Sequence, residues 1–122
     1  MLIQITTITA SADTAIVTTL RMKDFYQLLN AASTLTCSHF IEGSANSSAD
    51  VVFTCTGADS DETQLNVNRL QAWFGSLMSQ ANNPVSVLYP KPYVMNLATI
   101  VADAGLTYTG ATTQPLTTTV VA

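Results

Sequence analysis

Two short segments between residues 35 and 56 carry an apolar side chain at every second position, a pattern that an extended backbone gathers onto one face. Leu35, Cys37, His39 and Ile41 alternate with Thr36, Ser38 and Glu42, and Val51, Phe53 and Cys55 alternate with Asp50, Thr54 and Thr56. Paired antiparallel around a loop at 43–49, with Cys37 opposite Cys55, His39 opposite Phe53 and Ile41 opposite Val51, they place all seven on one dry face. Phe40 and Val52 are the exceptions on the wet side. A shift of two residues keeps both faces and separates the cysteines, because side-chain orientation repeats every two residues.

The rest of the chain divides into elements around this pair. Residues 2–9 are rich in β-branched side chains and predict a strand. Residues 10–13 predict a turn, and 15–19 either a second strand or the start of a helix. Met22, Phe25, Leu28, Leu29 and Ala32 share a helical face, which predicts a helix over 22–33. The strongest helix is expected over 60–81. Val67, Leu70, Trp73, Phe74, Leu77, Met78 and Ala81 form its apolar stripe, with Asp59, Ser60 or Asp61 as cap and Asn82-Asn83-Pro84 as stop. A short strand at 85–89 follows, then a third helix over 93–104 closed by Gly105.

This order predicts an α+β fold, a mostly antiparallel sheet with two to three helices packed on one face. The topology is βαββαβ-like if 15–19 joins the helix and ββαββα-like if it is a strand. Residues 1–105 are expected to form the compact domain, a size one core can serve. Residues 106–122, Thr-rich and uncharged, are expected as an extended C-terminal arm or edge strand.

Ionisable side chains are scarce, and that restricts function. Four cations (Arg21, Lys23, Arg69, Lys91), eight carboxylates and His39 account for all of them, and charged residues make up 10% of the chain against about 25% in ordinary domains. Threonine is the commonest residue. A net charge of −4 without a basic cluster argues against direct nucleic-acid binding. No apolar run has the length of a membrane helix, and the first residues lack the basic and apolar regions of a signal peptide. Cytoplasmic synthesis, with Cys37 and Cys55 as free thiols, is the expectation.

Each candidate site also has a structural explanation. Cys37, His39 and Cys55 could meet on one strand face, yet C-x-H is no familiar zinc spacing and the surrounding positions are apolar, so buried thiols and a core histidine are expected. Asp59, Asp61 and Glu62 suit a helix start without any metal. The five glycines fall at no nucleotide-binding spacing. No catalytic, cofactor or metal site is therefore assigned, and no cofactor is expected.

Tyr89, Pro90, Lys91, Pro92 and Tyr93 form a stiff, aromatic-flanked string, and Leu116, Val120 and Val121 lie in the β-prone tail; these eight are the candidate interface residues. A neutral surface with β-prone ends suggests a non-enzymatic structural or assembly subunit, self-associating or packed with other structural proteins. A virion capsid, decoration or tail component, with the chain incorporated into the virion, fits that composition. The alternative is a small oligomeric α+β enzyme or ligand-binding domain with a site at a subunit boundary near His39, Tyr89 or Tyr93.

Overall fold

Five strands form before the first α-helix, because alternating and β-branched segments dominate the first half of the chain. The computed structural model describes residues 2–9, 13–41, 48–80, 92–107 and 116–121, and the side chains of all of these except 13–15 and 121. In chain order the elements are β1 (Leu2–Ile8), β2 (Asp13–Arg21), a 3-10 turn (Met22–Asp24), β3 (Phe25–Asn30), β4 (Thr34–Phe40), β5 (Ser48–Cys55), α1 (Ser60–Gln80), β6 (Tyr93–Met95), α2 (Leu97–Ala104) and β7 (Leu116–Val121). The fold is α+β. All seven described strands belong to one sheet of order β2-β1-β7-β5-β4-β3, with β6 beside β1, antiparallel except where β6 runs parallel to β1. β2 takes one edge of β1, and β6 and β7 share the other, β6 beside Ile3–Ile5 and β7 at Ile8.

The helices lie on one face of this sheet and close a single core. Ile3, Ile5, Leu35, Cys37, Val51, Phe53 and Leu116 meet Val67, Leu70, Phe74 and Leu77 from α1 and Ile100 from α2. The Phe74 ring sits 5.0 Å from Phe25, edge-on, and 5.9 Å from Phe53. Full burial of each such ring contributes roughly 2–3 kcal/mol.

α1 is started by local chemistry. Asp59 Oδ1 accepts the Glu62 N–H at 2.9 Å, while Glu62 Oε1 accepts the Ala58 N–H, so Asp59 is the cap that the sequence offered among three. Gly57 lets β5 turn tightly into the helix, since a Cβ there would lie 2.7 Å from the Thr63 nitrogen. α2 begins with a reciprocal capping box between Asn96 and Thr99 and ends at Gly105, whose φ of 73° is left-handed.

Several expectations are corrected. Residues 15–19 are strand, one of the two alternatives expected. The helix expected over 22–33 is a 3-10 turn followed by β3, so neither the βαββαβ-like nor the ββαββα-like order holds. A β-bulge between Phe25 and Gln27 is the reason. The extra residue turns both Phe25 and Leu28 inward, three positions apart, which imitates helical spacing. Leu29 then faces outward and is 59% exposed. The turn after β3, with the Ala31 N–H bonded to the Thr34 carbonyl at 2.9 Å, folds the segment back onto β4.

The third helix likewise starts later than expected, because Tyr93–Met95 extends along β1 before Asn96 caps α2. The tail is neither arm nor edge. Leu116–Val121 lies inside the sheet between β1 and β5, so the compact unit does not stop at residue 105. Leu116, Thr118 and Val120 alternate toward the core, which makes the segment a half-covered inner strand. Of the turn expected at 10–13 and the loop expected at 43–49, residues 10–12 and 43–47 lie outside the described residues, and Asp13, Ser48 and Ala49 already belong to strands. The helix stop at 82–84 and the strand at 85–89 also lie outside the described residues.

Candidate functional site

The β4–β5 ladder decides the fate of the cysteine–histidine constellation. Cys37 pairs with Val51 and His39 with Ala49, while the Cys55 N–H reaches the Ser33 carbonyl at 2.8 Å. The register is therefore displaced from the expected one by an even number of residues. Every side chain keeps its face, and the two cysteines are pulled apart along the strands. Both are buried free thiols. Burial, and then the nearby Asp50 charge, raises the Cys37 pKa. Burial alone pushes Cys55 up to about 12. A thiol held neutral is a poor nucleophile and a poor ligand. Among the described residues no group of three His, Cys, Asp or Glu side chains could hold a metal.

His39 sits inside the core at 5% exposure, its ring 5.0 Å from that of Phe25. Its Nδ1 lies 3.2 Å from the Phe40 carbonyl oxygen. A carbonyl only accepts, so in the neutral ring Nδ1 carries the proton and Nε2 the lone pair. Nε2 is buried and has no hydrogen-bond partner among the described residues. A cleft of about 220 Å³ opens beside this histidine, lined by Thr19, Leu20, Arg21, Asp24, His39, Phe40 and Ile41. At its rim the Arg21 Nε donates to Asp24 Oδ2 at 2.8 Å.

The sheet face away from the helices has a different character. Gln4 and Thr6 on β1, Thr34, Thr36 and Ser38 on β4, Asp50, Val52 and Thr54 on β5, and Thr117 and Thr119 on β7 alternate with the core positions. No described helix covers them. Across β1, β3, β4, β5 and β7 the single charged side chain is Asp50, and it accepts the Ser38 hydroxyl at 2.8 Å. Toward the β3 end the face becomes apolar. Tyr26 stacks on Phe40 at 4.5 Å, and with Leu29 these rings are 45%, 57% and 59% exposed.

The candidate interface residues separate. Tyr89, Pro90 and Lys91 lie outside the described residues. Pro92 is half-buried before β6. Tyr93 packs against Trp73 and donates its hydroxyl to Asp103; burial, then that carboxylate, pushes its phenol up to about 12. Leu116 is fully buried and Val120 is partly buried against the core. Val121 pairs with Asp50 in the ladder. The exposed Tyr26, Leu29 and Phe40 were missed because two of them fell within a segment that reads as helix.

No protein-family model, curated protein or solved structure matches the chain. Among the described residues no helix is long and apolar enough to cross a membrane.

Proposed function

We propose that this chain is a non-enzymatic structural subunit that assembles with copies of itself or with other structural proteins. The observation that carries the reading is the neutral sheet face, with Asp50 as its single charge across five strands and with Tyr26, Leu29 and Phe40 exposed at one end. Such a surface has little like-charge repulsion to overcome when it meets protein, and aromatic side chains are enriched at such contacts. A virion capsid, decoration or tail component is the kind of subunit this composition suits, an analogy of composition alone. Multi-angle light scattering over a wide concentration range tests it. A defined oligomer or larger particle is expected; a strict monomer at every concentration and salt overturns self-assembly.

A second reading rests on the cleft beside His39, as a ligand-binding site. There His39→Phe would abolish binding of a small-molecule ligand while leaving the mass in solution unchanged. In the assembly reading the same substitution alters neither the oligomer nor any other property except stability.

A further inference from the structure

β3 ends the sheet among the described strands, and its outer edge presents backbone groups that no described strand pairs. The ladder to β4 starts from the Ala31 N–H bonded to Thr34 and continues through Leu29 opposite Thr36 and Gln27 opposite Ser38. Antiparallel pairing alternates hydrogen-bonded and non-bonded pairs. Leu28 and Asn30, the residues between, therefore turn their N–H and C=O groups away from β4. Proteins usually protect such an edge with lysine, proline, a covering element or a bulge. Residues 25–30 contain no charge and no proline, and the bulge ends at Gln27, which leaves Gln27–Asn30 straight.

We infer that two copies of the chain pair antiparallel along β3, with Leu28 opposite Leu28 of the second copy and Gln27 opposite Leu29 of the second copy. This rests on the assembly reading above and names its contact. That register satisfies the geometry of a two-fold strand pair. Opposed residues must share a sheet face, and Gln27 and Leu29 both face away from the helices. The central Leu28 pair is hydrogen-bonded, because the N–H and C=O of Leu28 point outward.

The flanks are compatible with a second copy. On the open face the pair brings the Tyr26, Phe40 and Leu29 patches of both copies into one apolar strip across the seam. On the helix side the nearest groups are neutral amides. Asn30 Nδ2 donates to Asn68 Oδ1 at 3.0 Å and to Gln71 Oε1 at 2.8 Å, and Gln64 joins them through Asn68. None of these flanking side chains carries a charge. A pair built on one short strand falls below the roughly 1,200 Å² of a standard interface, so association should depend on concentration.

Charge substitutions at the exposed Gln27 and Leu29 test the contact and leave the core untouched. Gln27→Lys with Leu29→Lys sets lysine opposite lysine twice across the seam, and Gln27→Glu with Leu29→Lys sets glutamate opposite lysine twice. Sedimentation equilibrium should show the dilysine variant dissociating at concentrations at least roughly tenfold higher than wild type, and the Glu/Lys variant returning to wild-type association. If wild type associates and the dilysine variant matches it, the β3 contact is overturned while the assembly reading stands. If the Glu/Lys variant fails to recover, the register is wrong. A wild type that never associates overturns both the β3 pairing and the self-association half of the assembly reading.

Discussion

The side chain of Asn66 on α1 completes the backbone of Thr107: its Nδ2 donates to the Thr107 carbonyl at 2.6 Å, and its Oδ1 accepts the Thr107 N–H at 3.0 Å. The carboxamide thus does for one residue of irregular chain what a neighbouring strand would do. Asn66 is fully buried, and it ties the segment after α2 to the middle of the fold. Asn66→Ala leaves both Thr107 groups without that partner and should cost about 2 kcal/mol. Urea unfolding measures it, and Asn66→Gln, one methylene too long, should not rescue.

Thr118 faces the core from β7 with its hydroxyl buried and unpartnered. Valine has nearly the same shape and no polar atom. Thr118→Val should therefore raise stability by about 1 kcal/mol, visible as a higher thermal midpoint. A loss of stability would mean that the hydroxyl is satisfied in solution.

The two thiols give the fold an alkaline limit. Cys55 is held up to about 12, above its ordinary 9.0, and Cys37 is raised as well. The unfolded chain releases these protons first. Their contribution is fully present below pH about 9 and is lost as pH rises toward 12. Denaturation midpoints should fall across that window and not below it. Cys37→Ala with Cys55→Ala should flatten the fall, and iodoacetamide at pH near 8 should label neither thiol until the protein unfolds.

Ending the chain after Gly105 should abolish the fold. An exchanged arm could be removed harmlessly, but β7 lies between β1 and β5 and supplies Leu116 to the core. Its loss opens one ladder of six paired positions on β5 and uncovers apolar side chains. Loss of near-ultraviolet dichroism and aggregation of the truncated chain are the expected results; a soluble, cooperative 1–105 fragment would contradict the inner-strand placement.

The buried faces of β4 and β5, the stripe of α1 and the Gly105 cap were all legible in the sequence, because each depends on residues close together in the chain. Alternation assigns a face, helical spacing assigns a stripe, and a glycine after the last turn fits a left-handed cap. The scarcity of charge belongs with these, since it limits any surface the chain can build.

Tertiary structure decided the rest. Whether Met22–Leu29 coils or extends depended on a bulge and on a β4 edge waiting to be paired. The separation of Cys37 from Cys55 depended on which of several equivalent even registers the hairpin closed. The tail became an inner strand because β1 and β5 left a gap that Leu116, Thr118 and Val120 could fill. Local sequence fixes which way a side chain points. Which strand lies beside it is a contest between distant segments, and only the completed sheet settles that contest.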